Sequence, residues 1–206
     1  QAKSESQARR NVGILFEDNR LTAETQMAIR KLRETQFADG AWPWMPGGRP
    51  SDYITLYITT GFGRMRAMHV DMDVNMAIKA VNRLDNWIDK NYREILKHGN
   101  KDANNLSSLI AQYLYCRSFF LKDRAVAPQH LEAINYFLGQ AVKTDKDGTQ
   151  YFLRLSRMNQ AQVAIAMNRF GKFEKKANYN TLAKLIIKSI KERSVTNEEM
   201  GLFWRD

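Results

Sequence analysis

Apolar residues recur at three- and four-residue spacing along most of the chain, the pattern of helices that bury one face. The stripe is clearest where Ala77, Ala80, Val81, Leu84, Trp87, Ile88, Tyr92 and Ile95 predict a helix over 75–97. Leu106, Leu109, Ile110, Tyr113 and Phe120 predict another over 105–121, and Leu131, Ile134, Leu138 and Ala141 continue a third from Pro128, a proline suited to a first helical turn. Phe152, Leu155, Val163, Ala166, Met167 and Phe170 predict a helix over 149–170, closed by Gly171 as a C-cap, and Leu182, Leu185, Ile186 and Ile190 predict one over 178–193. Upstream, Ser4 to Phe16 and Thr22 to Gln36 read as two helices broken at Asp18-Asn19. Ser51 or Asp52 caps a helix running to about His69, with Ile54, Tyr57, Ile58, Gly61, Met65 and Met68 on one face. Val, Ile and Thr show no sustained alternation, so a sheet is not expected. The pattern predicts an all-α chain of about eight helices in antiparallel pairs, arranged as a solenoid or an α/α toroid.

One stretch interrupts this regularity. Residues 39–50 read Asp-Gly-Ala-Trp-Pro-Trp-Met-Pro-Gly-Gly-Arg-Pro, with three prolines, three glycines and two tryptophans, which excludes a helix. Together with Gln36 the stretch forms Gln-x-x-Asp-Gly-x-Trp, and each residue type has a mechanical use. The Gln36 amide can tie exposed backbone groups at neighbouring helix ends. Asp39-Gly40 makes a tight turn in which Gly40 takes positive φ. Trp42 and Trp44 then fold back as apolar plates, prolines 43, 46 and 50 stiffen the loop, and Gly47 and Gly48 belong to the same structural motif. A clamp between helix pairs is favoured over an aromatic ligand pocket.

Gln36-x-x-Asp39-Gly40-x-Trp42 resembles the QW repeat of terpenoid cyclases, whose α/α-toroid fold is shared with protein prenyltransferases and complement-type thioester domains. The longer stretch Gln36 to Met65 (QFADGAWPWMPGGRPSDYITLYITTGFGRM) resembles the thioester-domain region of bacterial alpha-2-macroglobulin proteins, especially those of Bacteroidetes. Asn11 to Arg20, Gln112 to Phe119 and Lys191 to Trp204 fit the same family in the same order. The resemblance implies a partial α/α toroid, one domain over 1–206 of a larger multidomain protein. It also implies a part in endopeptidase inhibition by protease trapping. The implied partners are the parent's other domains and proteases, and the implied location is the periplasm or the outer-membrane surface. A toroid built from too few pairs should leave an apolar edge or groove exposed. The Cys-x-Glu-Gln motif that forms the family's thioester is missing: the single cysteine, Cys116, lies in Tyr-Cys-Arg-Ser within an apolar helix and reads as a buried small hydrophobe.

Composition narrows the alternatives. With 206 residues and 44% hydrophobic content, the chain can bury a substantial core as one domain. No apolar run approaches membrane-spanning length, and one cysteine excludes an intrachain disulfide framework. The chain starts without Met or an apolar leader, which reads as a mature product or a piece of something longer. The net charge of +10 invites an anionic partner, yet Lys and Arg are spread over nearly every helix, so nucleic acid is not expected. Arg64 with Arg66, and Lys172 with Lys175 and Lys176, are the densest basic patches, both near predicted helix ends. Asp71-Met72-Asp73-Val74-Asn75 has the outline of a cyclase acid motif but reads more simply as an N-cap. His69 and His98 fall at predicted helix ends and His130 follows Pro128, without the spacing of metal ligands. Gly61 and Gly63 read as points of close helix approach. No catalytic residue, cofactor or metal site is assigned.

Overall fold

The computed structural model describes residues 18–199 and 201–204, and the helix expected over 4–16 lies outside them. Within them the protein is all-α, with seven helices in packed antiparallel pairs and two small ribbons. Helix α1 spans Asp18–Thr35 and so takes in Asp18-Asn19, where a break between helices was expected. The ribbon strands β1 (Trp42–Pro43) and β2 (Pro50–Ser51) follow, then α2 (Asp52–Ala67), α3 (Asn75–His98), α4 (Ser108–Ser118) and α5 (Pro128–Gln140). A 3-10 turn over Tyr151–Arg154 precedes α6 (Arg157–Phe173) and α7 (Ala177–Glu192). A second ribbon, β3 (Val195–Asn197) with β4 (Gly201–Phe203), comes last.

Helix starts follow local chemistry. Ser51 Oγ accepts the Ile54 N–H, Ser107 Oγ that of Ile110 and Ser156 Oγ that of Asn159, each at 3.3 Å, satisfying donors that a first turn leaves open. Pro128 sits in the first turn of α5, where its missing N–H costs nothing. Gly99 ends α3 after Lys97 and His98, whose charge or proton donors suit the carbonyl end of a helix.

The helices form two rows. Helix α4 lies between α2 and α6, α3 packs on both α2 and α5, and α7 packs on α6. The described residues thus form packed antiparallel helix pairs. The central position of α4 explains why it buries residues all round, including Tyr113, Cys116 and Arg117. One buried apolar cluster runs from Trp42 through Ala80, Leu84, Leu114, Phe137 and Phe170 to Ile190. Close approach in α2 needs a small residue at one of its two glycines. A Cβ on Gly63 would sit 2.5 Å from the Phe119 ring, whereas one on Gly61 would meet open space, so only Gly63 has the expected packing role.

Three local expectations are corrected. Gly171 does not end a helix but lies within α6, where a Cβ would come 2.6 Å from Asn180 Oδ1 of α7. The helix expected over 149–170 is two pieces, because Leu155 and Ser156 are extended (ψ 157° each) and Ser156 caps a new start. The two ribbons, unexpected from the sequence, are strands of two or three residues, too short to generate an alternating pattern. No helix of the described residues is long and apolar enough to cross a membrane.

Candidate functional site

The Gln36–Trp42 turn joins three helices. Gln36 Nε2 donates to the Gly40 carbonyl at 3.0 Å and to the Met76 carbonyl, in the first turn of α3, at 2.9 Å. One side-chain amide thus holds the turn closed and fastens it to α3. Gly40 has φ 89°, and a Cβ there would lie 2.8 Å from the Lys79 carbonyl oxygen, so glycine is required both by conformation and by space. Asp39 Oδ1 accepts the Ala41 N–H at 3.1 Å, and Oδ2 pairs with Arg83 of α3. Arg83 Nε also reaches Asp52 Oδ1 at 2.7 Å, so one guanidinium ties the turn to the start of α2. Burial works against ionisation of Asp39, but the Ala41 N–H and Arg83 outweigh it and hold the carboxyl below its ordinary value.

Trp42 completes the clamp. It is 1% exposed, its Nε1 donates to the Leu32 carbonyl of α1 at 2.8 Å, and its backbone N–H donates to Thr55 Oγ1 of α2 at 2.9 Å. Its ring stacks near Phe62 at 6.5 Å. Trp44 departs from expectation: it is 64% exposed and stacks on Tyr53 at 5.8 Å, outside the core. The reason is the extended backbone of β1, which sends residues two apart to one face only while strand geometry persists, and Pro46-Gly47 turns the chain away after Trp44. Gly47 takes φ 76° in that turn, and the Gly48 N–H closes it on the Met45 carbonyl at 2.9 Å.

The other sequence candidates disperse. Asp71 and Asp73 are exposed, and the depression beside them is lined by Thr25, Gln26, Ile29, Arg30, Arg33 and Met72, with no aromatic wall. Asp73 Oδ1 accepts the Asn75 N–H at 2.9 Å, but the N-cap of α3 is Val74 and carries no side-chain cap bond, so Asp73 turns the chain into the helix from one residue before the expected cap. His69 and His98 are exposed and His130 is buried, and among the described residues no group of three or more His, Cys, Asp or Glu is placed to hold a metal ion. Cys116 is buried, and burial pushes its thiol up to about 12, against smaller opposing effects of Thr60 and Arg117. A thiol so far from ionisation is a poor nucleophile.

Two constellations emerge that the sequence did not reveal. In the core, Arg117 Nε contacts both Asp85 oxygens at 2.9 and 3.2 Å, and the Tyr113 hydroxyl donates to Asp85 Oδ1 at 2.7 Å. The only hint was a charged Asp85 in register with Val81 and Ile88 on the apolar stripe of α3. On the surface, the C-terminal ends of α2, α4 and α6 meet at a cleft of about 710 Å³. Arg66, Lys122, Arg169 and Lys172 line it, together with Ser118, Phe119, Leu121, Asp123 and Phe173. The fold therefore brings together Arg66 and Lys172, members of two basic patches that lie more than a hundred residues apart.

Within the cleft the cations are not equivalent. Arg66 makes a two-pronged pair with Asp123 (2.9 Å each) and donates to the Phe119 carbonyl. Arg169 lies over the Phe119 ring with its guanidinium carbon 3.9 Å from the centroid, and donates from Nη1 to Ser118 Oγ at 3.2 Å. It faces no carboxylate among the described residues. Burial, with the charge of Arg66 adding to it, holds its guanidinium below the usual range.

No protein-family model and no curated protein matches the chain.

Proposed function

We propose that this chain is a catalytically silent helical-pair module of a bacterial alpha-2-macroglobulin-like protein, contributing to endopeptidase inhibition by protease trapping. The observation that carries the reading is the use made of the diagnostic turn. Gln36 and Trp42 spend their polar groups on backbone carbonyls of α1, the turn itself and α3, and the indole is sealed in the core, so the motif clamps helices together and opens no substrate cavity. The buried, protonated Cys116 supports the same reading, since it is inaccessible for thioester chemistry.

The α6–α7 face adds support. A groove of about 610 Å³ runs along it, floored by Ala164, Ile165, Ala183 and Ile187 and rimmed by Lys184, Lys188 and Lys191. An apolar groove at the end of the helix rows is where the parent's other domains would pack. The periplasm or outer-membrane surface is the location that goes with this role.

The test uses the intact parent. Exposed to a broad-specificity protease, it should be cleaved once and then hold that protease so that small peptide substrates are still hydrolysed while large protein substrates are spared. A parent without upstream β-sandwich modules, or a protease that keeps full activity on protein substrates, overturns the proposal.

A further inference from the structure

The cleft at the ends of α2, α4 and α6 carries more positive charge than its surroundings neutralise. Helix C-termini attract cations, and three of them meet here, each equivalent to roughly half a negative charge. Asp123 contributes one more, directed at Arg66. Against four lining cations this leaves a surplus of more than one positive charge, and Arg169 is where it is least satisfied. Arg66, Arg83 and Arg117 each engage a carboxylate, whereas Arg169, partly buried, has one neutral hydroxyl partner and the faces of two aromatic rings, Phe119 and Tyr115. Lys122 and Lys172 are exposed and form no ion pair among the described residues.

The walls between these cations are mainly apolar, and Phe173 is 45% exposed beside them. We propose that this cleft binds an acidic peptide segment of a protein partner. A carboxylate of the segment pairs with the Arg169 fork, Lys122 and Lys172 supply the rim, and a neighbouring apolar side chain covers Phe173 and Leu121. A planar guanidinium suits a carboxylate through two parallel hydrogen bonds, and its pre-positioning on Phe119 lowers the ordering cost. A nucleic-acid strand fits less well: it needs a track of cations, and here they converge on one concavity that also holds a carboxylate. The volume accommodates a few side chains, the scale of a peptide anchor. The site shares no lining residue with the α6–α7 groove and does not depend on the family reading.

The experiment measures fluorescence anisotropy of a fluorescein-labelled peptide alternating Glu with Phe and Leu, at low ionic strength, on the full chain. The same peptide with Gln for Glu is the uncharged control, and inorganic phosphate and a thymidine oligonucleotide of matched charge are competitors. The acidic peptide should bind in a salt-sensitive manner. Binding should fall about tenfold or more in Arg169→Gln, and comparably in K122E/K172E, the scale of losing a charge-assisted contact. K184E/K191E, an equal change of net charge on the far groove, should leave it within about twofold. The double lysine variant alters exposed side chains only, so it decides the matter if Arg169→Gln unfolds by circular dichroism. Equal loss in K184E/K191E, undiminished binding in the cleft variants, equal binding of the uncharged peptide, or Arg169-dependent binding of the oligonucleotide in place of the peptide each overturns the proposal.

Discussion

Asp85 and Arg117 offer the sharpest test of how the core is held. Both side chains are almost fully buried, at 3% and 1% exposure, and they share a two-contact ion pair. Asp85 also accepts from Tyr113, and Arg117 Nη2 donates to the Arg124 carbonyl at 2.8 Å. Arg117 Nη1 is buried without a protein partner, so the pair is not ideally satisfied. Removing one member should therefore be far worse than removing both. Asp85→Leu leaves a buried guanidinium with a single carbonyl, and Arg117→Met leaves a buried carboxylate with a single phenol. Each should cost about 3–5 kcal/mol. At this chain length that corresponds to a fall in Tm of about 6–20 °C. The double variant removes both charges and fills the space with apolar groups, so its loss should be at most about 1–2 kcal/mol. Urea unfolding followed by circular dichroism, fitted with a common slope, gives all four corners of the cycle. If the double variant loses as much as the two singles together, the charges act independently and the network has been misread. Loss below about 1 kcal/mol for Arg117→Met alone would mean that the stranded Asp85 carboxylate reaches water or takes up a proton.

The turn, the thiol and the helix contact each yield a further expectation. Gly40→Ala should lose well over about 1 kcal/mol in the same urea assay, because positive φ and the Lys79 carbonyl both oppose a Cβ; a neutral effect would place the turn elsewhere. Asp39 titrates below the ordinary carboxylate value in the folded state, so its ionised form contributes stability above the unfolded value of about 4 and loses it as pH falls through the folded one. The stability gap between wild type and Asp39→Asn should accordingly be flat near neutrality and close in acid; a gap that widens in acid contradicts the assignment. Cys116 should resist a thiol reagent at pH 8 in native buffer and react only as urea unfolds the chain, and rapid native labelling would show that the thiol is accessible. Gly63→Ala drives a methyl into the Phe119 ring and should cost about 1–3 kcal/mol, with unchanged stability as the contrary result.

Much of the architecture was legible because helices report themselves locally. The spacing of Ala77, Val81, Leu84 and Ile88, the capping serine at 51, and Pro128 depend on neighbours within one or two turns, and all act as their sequence context suggests, whereas Ser107, inside the helix expected over 105–121, is its cap. Gly171 shows where local reasoning fails. A glycine near the end of an apolar pattern reads as a cap, but here its missing Cβ accommodates Asn180 from the next helix, a tertiary demand that sequence spacing does not encode. Trp44 fails similarly, since it is the same residue type as Trp42 in the same loop and is left outside the core only because the chain turns away just beyond it at Pro46-Gly47. The cationic cleft was hidden for a different reason. Arg66 and Lys172 were visible as basic residues at helix ends, but their meeting depends on α4 lying between α2 and α6. Arg169, beside the buried Phe170, gave no signal of its own.

The packing and the cleft are one construction. Gly63 lets α2 press against Phe119, which fixes one face of that ring. Arg169 covers the ring from α6, and the Phe119 carbonyl receives Arg66. Phe119 is thus held from two neighbouring helices at the end of α4, and it in turn fixes where both guanidiniums sit. The surface charge that distinguishes this end of the molecule is therefore set by a glycine contact and not by the charged residues alone. An added methyl at Gly63 and a lost charge at Arg169 should weaken acidic-peptide binding alike, although only the second alters the net charge. That equivalence separates a built site from a chance accumulation of cations, because scattered lysines would be indifferent to how Phe119 packs.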